Sequence, residues 1–172
     1  MFDEPIRGAA DALLATCRRK KLMLATAESC TGGLVAGALT EIAGSSDVVD
    51  RGFVTYSNEA KQQMLGVSAA TLRDYGAVSR QTAEEMARGA IAHSNAQIAV
   101  AITGIAGPGG GSAEKPVGLV HFAAASRSGA LLAQELRYGD IGRSNIRHES
   151  VLQALAMLQT LAETEAPVAK GR

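Results

Sequence analysis

Apolar positions along this chain follow two patterns, a helical spacing of three to four residues and short continuous runs. The run over residues 98–102 is typical of a strand that is covered on both faces, and residues 48–56 are rich in β-branched and aromatic residues. Residues 116–125 and 131–138 predict a hairpin. Helical spacing recurs in a first helix, capped by Asp3, and in a last helix. The apolar faces of these two helices are Ile6, Ala10, Leu13, Leu14 and Cys17, and Val151, Leu155, Leu158 and Ala162.

Three shorter helices are predicted between the strands, over residues 34–42, 58–65 and 79–93. Residues 68–75 are predicted to form a loop. Helices that alternate with strands, followed by a hairpin, predict a single three-layer α/β/α domain with a mixed central sheet over residues 1–164. Residues 165–172, with a proline and a basic end, are predicted to be a flexible tail.

The charge of the chain is balanced, with 17 Lys and Arg residues against 17 Asp and Glu residues. Because no net field favours a polyanion, nucleic acid is not expected as a partner. A length of 172 residues, 47% of them hydrophobic, fits one domain with a substantial core. No apolar run is long enough to span a bilayer and no basic-then-apolar leader is present, so the protein is expected to be cytoplasmic and free of membrane contact.

The cysteine, histidine and glycine patterns do not indicate a bound metal or cofactor. Cys17 and Cys30 are predicted to be free thiols in a reducing compartment. The three histidines lie too far apart in sequence for a metal-ligand motif, so no metal is expected. The glycine-rich residues 103–112 lack the Gly-Lys-Ser/Thr ending of a P-loop and the full dinucleotide-binding pattern. We therefore expect neither ATP nor NAD as a cofactor.

Residues 26–33, Thr-Ala-Glu-Ser-Cys-Thr-Gly-Gly, follow the apolar run at residues 22–25 and are predicted to join a buried strand to a helix. The first N–H groups of a helix have no partner within it, and the helix dipole places partial positive charge there. A hydroxyl such as Ser29 could attack a carbonyl whose developing oxyanion is held by the N–H groups of residues 30–33. The alternative is that Ser29 or Thr31 is only a helix cap and that the glycines only permit tight packing.

Three cationic residues stand at helix starts, where a cation is unfavourable. For Lys61, the dipole together with any burial would lower the pKa and leave a neutral amine that can act as a general base. The alternative is an exposed lysine with a small unfavourable dipole interaction. Arg143 and Arg147 are four residues apart, lie on one side of the last helix and favour an anion such as phosphate between them.

Five separated segments carry most of this candidate chemistry, namely residues 26–33, 52–61, 76–79, 103–110 and 115–118. In their order and spacing they resemble the competence/damage-inducible protein CinA, C-terminal domain family. The similarity extends from about the first helix to near Leu161. Longer family members carry an N-terminal molybdopterin-binding-like domain that has no counterpart here, so the resemblance is to the stand-alone members, which are nicotinamide-nucleotide amidases.

The resemblance implies hydrolysis of the carboxamide of nicotinamide mononucleotide (NMN) to nicotinate mononucleotide and ammonia, within pyridine nucleotide salvage. It implies Ser29 as the nucleophile and Lys61 as the base, with Tyr56 and Thr103 as orienting or proton-relay groups. Arg143 would hold the 5′-phosphate. The other residues expected at the substrate are Glu28, Cys30, Thr31, Gly32, Gly33, Asn58, Gly104, Gly107, Arg147 and Lys115.

Three of these assignments keep an alternative. Residues 141–142 stand before Arg143 where many family members read Gly-Asp-Arg directly, although the spacing to Arg147 is kept. Glu28 could orient the site or bind ribose hydroxyls, or it could simply accept backbone N–H bonds. Lys115 could close over the phosphate, or it could be an ordinary loop lysine.

Other functions compete with the amidase. A non-catalytic pyridine-nucleotide-binding or sensing module could use the same glycine loops and Arg143. A cysteine hydrolase with Cys30 as nucleophile would need an activating histidine, and none lies in the five segments. A DNA-associated competence protein is disfavoured by the balanced charge. A homo-oligomer is expected by resemblance, and small helix faces such as Ala83, Ala87 and Ala90 would allow close packing.

Overall fold

The computed structural model of the protein describes residues 2–169. The helices are α1 (Glu4–Lys20), α2 (Leu34–Thr40), α3 (Asn58–Leu65), α4 (Ala69–Tyr75), α5 (Arg80–Ala92) and α6 (Arg143–Thr164), and a short 3₁₀ helix covers Ser45–Asp47. The strands are β1 (Leu24–Glu28), β2 (Val49–Val54), β3 (Ile98–Gly104), β4 (Leu119–Ser126) and β5 (Leu131–Arg137).

The strands form one mixed sheet in the order β2-β1-β3-β4-β5. β1 is parallel to both of its neighbours, whereas β4 is antiparallel to both of its neighbours, β3 and β5. Glu28, the last residue of β1, lies opposite Val54 and Ile102. The residues that follow the strands, such as Ser29 and Thr55, therefore meet at the carboxyl edge of the parallel part of the sheet, where α/β proteins commonly bind ligands.

The two faces of the sheet carry side chains of different size. In β3, Ile98, Val100 and Ile102 face the layer of α1, α2 and α6, and alanines alternate with them toward the layer of α3 and α5. Period-two alternation in a strand buried on both faces explains why the sequence reads as a continuous apolar run. The predicted three-layer α/β/α architecture with a mixed sheet is confirmed.

The small residues of the second face bring two helices into close backbone contact. A Cβ built on Gly89 of α5 would lie 1.9 Å from the backbone oxygen of Leu65, at the end of α3. Gly66 then ends α3 in the left-handed conformation, with a φ of 69° that favours glycine. These two glycines fix the position of α3, the helix that carries Lys61.

The structure corrects two predicted boundaries. Residues 68–75 are not a loop, because Ala69–Tyr75 forms α4 and the Ser68 hydroxyl caps it by accepting the Thr71 N–H. Only Thr71 of this helix is buried, so the apolar periodicity that identifies longer helices is missing. β1 continues to Glu28, three residues beyond the apolar run at 22–25, because it is paired on both sides.

The end of α6 is held by the end of α1. Lys20 Nζ donates to the backbone carbonyls of Ala162, Glu163 and Glu165, and the Val168 N–H donates to the Lys20 carbonyl at 2.9 Å. The flexibility expected for residues 165–172 stays a prediction, and residues 170–172 lie outside the described part of the chain. Among the helices of residues 2–169, none combines the length and the apolar character that crossing a membrane requires.

Candidate active site

A pocket of about 230 Å³ opens at the carboxyl edge of β1, β2 and β3. It brings together residues from four of the five segments that the sequence singles out, and Arg143 from α6. The lining residues are Ser29, Cys30, Tyr56, Asn58, Lys61, Ala77, Val78, Thr103, Gly104, Ala106 and Arg143. All four residues predicted to be catalytic thus line one pocket.

Ser29 and Lys61 form the centre of the pocket. The Ser29 N–H donates to the Ile102 carbonyl at 2.9 Å, which fixes the backbone just past β1. Lys61 Nζ lies 3.1 Å from Ser29 Oγ and donates to the Thr55 carbonyl at 2.8 Å. The Lys61 residue is only 1% exposed. A serine hydroxyl and a buried amine are therefore in direct hydrogen-bond contact.

Burial lowers the pKa of Lys61 below the ordinary lysine value, because the ammonium form loses its hydration. No carboxylate within residues 2–169 forms an ion pair with Lys61 that would hold it charged. A neutral amine suits both of its contacts, since it can donate one N–H to the Thr55 carbonyl and accept the Ser29 proton on its lone pair. Burial is the cause that lowers the pKa of Lys61.

Cys30 is a free thiol beside the nucleophile, but it is not activated. It is buried, and burial raises the pKa of its thiol to about 12. Because the thiolate is the reactive form, Cys30 is held in its unreactive protonated form near neutral pH.

Glu28 forms hydrogen bonds with the backbone at the start of α2. Its side chain is fully buried, and its two carboxylate oxygens accept the N–H groups of Gly33, Val35 and Ala36 at 3.0, 3.1 and 2.9 Å. The Thr26 hydroxyl adds a fourth bond at 3.3 Å. The anion at the start of α2 is therefore Glu28 itself, and these hydrogen bonds favour the alternative that Glu28 accepts backbone N–H bonds.

The loop after Ser29 offers fewer free donors than the sequence suggests. The N–H of Gly32 bonds to the Ser29 carbonyl and that of Gly33 to Glu28, so neither is available to an oxyanion. Within residues 2–169, the N–H groups of Cys30 and Thr31 donate no backbone or side-chain hydrogen bond to another residue. Of the two residues, only Cys30 lines the pocket.

Arg143 reaches the pocket from the first turn of α6. It donates to the Gly107 carbonyl at 2.9 Å and to the Tyr56 hydroxyl at 3.0 Å. Tyr56 is 62% exposed, so the Arg143–Tyr56 contact lies at the solvent side of the pocket. The two residues 141–142 before Arg143 do not prevent it from reaching this position. Gly107 does not line the pocket, but its carbonyl accepts the hydrogen bond that holds Arg143.

Thr103 and Asn58 differ in burial, since Thr103 is buried and Asn58 is exposed. Thr103 is 1% exposed, and its hydroxyl donates to the Ala77 carbonyl at 2.7 Å. Asn58, exposed, begins α3 just after Ser57, whose hydroxyl caps the helix. Thr103 therefore supports a neighbouring loop, and Asn58 is free to contact a ligand.

Two cationic residues expected at the substrate lie outside the pocket. Arg147 donates to the carbonyls of Cys30 and Thr31 at 3.2 and 3.1 Å, so it supports the loop that follows Ser29. Lys115 donates to the carbonyls of Tyr75 and Val78. Neither guanidinium nor ammonium is directed at the pocket, because each is used by backbone carbonyls.

Ala77 and Val78 are pocket residues that the chemistry of their side chains could not reveal. They belong to the segment 76–79, whose order in the chain was the only available signal. The carbonyl of Thr55 was also missed, since a backbone acceptor leaves no trace in composition. Across the residues that the structure describes, His, Cys, Asp and Glu form no group of three or more that could hold a metal ion.

The fold and site define a single α/β/α domain whose pocket holds a serine and a buried lysine in direct contact. The chain belongs to the CinA C-terminal domain family, whose model matches residues 7–162.

Named relatives and solved structures agree with this membership. A relative from Enterobacter agglomerans, nicotinamide-nucleotide amidohydrolase PncC, is 51% identical over 142 residues, which are 82% of this chain and 85% of that protein. The PncC protein of Escherichia coli K12 is 54% identical over 134 residues, or 77% and 80% of the two chains. The crystal structure of the competence/damage inducible protein CihA from Agrobacterium tumefaciens is 61% identical, with a TM-score of 0.93 over 94% of this chain and 98% of that one.

Proposed function

We propose that this protein hydrolyses the carboxamide of NMN, giving nicotinate mononucleotide and ammonia. The observation that carries the proposal is the 3.1 Å contact between Ser29 Oγ and the buried amine of Lys61, in a chain 51–54% identical to proteins named for this activity. A hydroxyl nucleophile becomes reactive when an adjacent neutral base can take its proton.

Acylation begins when Ser29 Oγ attacks the carboxamide carbon and its proton moves to Lys61 Nζ. The carbonyl π electrons move to the oxygen, which the Cys30 N–H stabilises from the loop beyond β1. When the carbonyl re-forms, the C–N bond breaks and the departing nitrogen takes the proton from Lys61. The products of this half-reaction are ammonia and a nicotinoyl ester on Ser29, with Lys61 neutral again.

Deacylation repeats these steps with water as the nucleophile. Lys61 takes a proton from water as its oxygen adds to the ester carbonyl, and returns the proton to Ser29 Oγ as the ester bond breaks. The Thr55 carbonyl keeps the amine oriented throughout. Tyr56, at the solvent side of the pocket, is placed to help bring protons in or out.

Recognition of the nucleotide rests on Arg143. A guanidinium binds phosphate oxygens through parallel charge-assisted hydrogen bonds, which are stronger than bonds to neutral oxygens. Arg143 bonds only to the neutral oxygens of Gly107 and Tyr56 within the described residues, so a phosphate can displace them favourably. The positive pyridinium ring of NMN would also disfavour an ammonium nearby and so favour the neutral form of Lys61.

The proposed reaction belongs to pyridine nucleotide salvage, and we propose that it takes place in the cytoplasm. We further propose that the protein acts as a homo-oligomer. Light scattering coupled to size-exclusion chromatography measures the mass of the assembly and would contradict this last point if only the monomer were found.

The experiment is ammonia release from NMN by the purified wild type, with and without EDTA, beside Ser29→Ala and Cys30→Ala. We expect EDTA-insensitive release that falls by at least about 10³-fold in Ser29→Ala, because the nucleophile is lost. Cys30→Ala keeps the backbone N–H and is expected to retain most of the turnover. Loss of activity in Cys30→Ala alone would favour a cysteine nucleophile. A folded wild type that binds NMN without releasing ammonia would favour the sensing module.

A further inference from the structure

The loop between α4 and α5 is held by side chains at four successive backbone carbonyls. Lys115 Nζ donates to the Tyr75 carbonyl at 2.6 Å and to the Val78 carbonyl at 2.8 Å. The Thr103 hydroxyl donates to the Ala77 carbonyl at 2.7 Å. Between them, the Gly76 carbonyl accepts hydrogen bonds from the hydroxyls of Ser79 and Thr82 at 3.0 and 2.7 Å.

Lys115 makes two of these five hydrogen bonds, and it does so from a distant part of the chain. It comes from the loop between β3 and β4, 40 residues from Tyr75, and its amine bridges both ends of the turn. A Cβ built on Gly76 would lie 3.1 Å from Lys115 Nζ, so the amine is packed directly against the turn. Lys115 therefore ties both ends of the turn to the loop between β3 and β4.

The same loop presents unpaired N–H groups next to the pocket. Ala77 and Val78 both line the pocket, and within residues 2–169 neither N–H donates a hydrogen bond. These two N–H groups are therefore available to a ligand in the pocket.

We propose that Lys115 is a positioning residue, which fixes the 75–79 loop so that the N–H groups of Ala77 and Val78 donate hydrogen bonds to oxygen atoms of the bound nucleotide. This inference rests on the proposed function, since it takes NMN as the ligand. It assigns the loop to binding and leaves the chemical step to Ser29 and Lys61. Losing the Lys115 contacts should therefore raise KM and leave kcat nearly unchanged.

The chain offers a matched control for this test. Lys20 also uses its amine on backbone carbonyls, at the end of α6, and it lies outside the pocket. Lys20→Met and Lys115→Met remove the same chemical group, so a purely structural role would affect the two variants alike. Lys115→Arg keeps donors that can reach both carbonyls and serves as a conservative rescue.

The first measurement is steady-state ammonia release from NMN. We expect Lys115→Met to raise KM about tenfold with kcat within about twofold, Lys20→Met to leave both within about twofold, and Lys115→Arg to recover part of the loss. A KM for Lys115→Met equal to that of Lys20→Met would overturn the proposal, as would a fall in kcat alone.

The second measurement does not depend on turnover. In ¹⁵N-labelled Ser29→Ala protein, NMN should shift the amide resonances of Ala77 and Val78. When Lys115→Met is combined with Ser29→Ala, the Kd for NMN should rise about tenfold, whereas combining Lys20→Met with Ser29→Ala should leave it unchanged. Binding without those two shifts would overturn the inference even if the amidase is confirmed. If the wild type neither binds nor turns over NMN, the proposed function fails and the inference about NMN contacts fails with it. Faster hydrogen exchange at residues 76–79 in Lys115→Met than in Lys20→Met would then support the positioning role alone.

Discussion

Lys61 Nζ donates a 2.8 Å hydrogen bond to the backbone carbonyl of Thr55, six residues earlier in the chain. Thr55 follows β2 and Lys61 lies in α3, so the bond joins the end of a strand to the helix that comes next. The same amine lies 3.1 Å from Ser29 Oγ. One backbone acceptor therefore aims the lysine at the serine.

The pH dependence of the amidase should follow Lys61. Only the neutral amine can accept the Ser29 proton, and burial lowers the pKa of Lys61. As pH rises through that lowered pKa, kcat/KM for NMN should therefore rise, and it should level off below the ordinary lysine pKa of about 10.4. The measurement is a pH–rate profile of ammonia release at constant ionic strength. A rate that falls with rising pH over this range would remove Lys61 as the base.

Lys61→Met is the control for that profile. Methionine fills the same buried space without a base, so turnover should fall by at least about 10³-fold, and any residual rate should lose the ascending limb assigned to Lys61. Circular dichroism and calorimetric NMN binding would show that the fold and the nucleotide site persist. Near-native turnover in this variant would exclude the Ser–Lys mechanism.

Glu28→Gln should act on stability and much less on nucleotide affinity. The amide replaces one carboxylate acceptor by an NH₂ group that faces backbone N–H donors in a fully buried site. We expect the free energy of unfolding to fall by about 2–4 kcal/mol, measured by urea denaturation. Glu59→Gln is the matched control, because Glu59 is an exposed carboxylate in the first turn of α3, and its loss should cost under about 1 kcal/mol. If Glu28→Gln left the free energy of unfolding unchanged and raised KM for NMN, the result would contradict this role and favour contact between Glu28 and the substrate.

Arg143→Met should reduce the preference for a phosphorylated substrate. Loss of two charge-assisted bonds to phosphate should raise KM for NMN by about 10- to 100-fold and leave the reaction of nicotinamide riboside nearly unchanged. Arg147→Met is the contrast, since Arg147 supports the carbonyls of Cys30 and Thr31. That variant should lower turnover of both substrates in the same proportion. Steady-state kinetics with NMN and nicotinamide riboside separates phosphate binding by Arg143 from loop support by Arg147. If both variants lost the same proportion of activity on both substrates, the two assignments would be contradicted.

Sequence patterns predicted the layers of this fold because buried apolar residues recur at the structural period of each helix and strand. Spacing alone made Ser29 and Lys61 candidates, and the resemblance of five segments to the CinA family implied their roles as nucleophile and base. In the structure these two residues, 32 positions apart in the chain, come into contact because β1 and β2 pair just before them.

The sequence could not predict the hydrogen-bond partners of three charged residues, because a long charged side chain can choose among several backbone partners. Glu28, Arg147 and Lys115 each looked available to a ligand in the sequence. In the structure, the first is used by helix N–H groups and the other two by loop carbonyls. Those choices depend on the direction in which each loop leaves its strand, and neither spacing nor composition encodes that direction.

The close approach of Gly89 to the Leu65 carbonyl has an evolutionary consequence. A methyl group at residue 89 could be accommodated only if α3 and α5 moved apart. Lys61 lies one turn before Leu65 on α3, whereas Ser29 is anchored to β3, so such a movement would separate the base from the nucleophile. Natural selection on turnover would therefore act on a glycine that lines no part of the pocket.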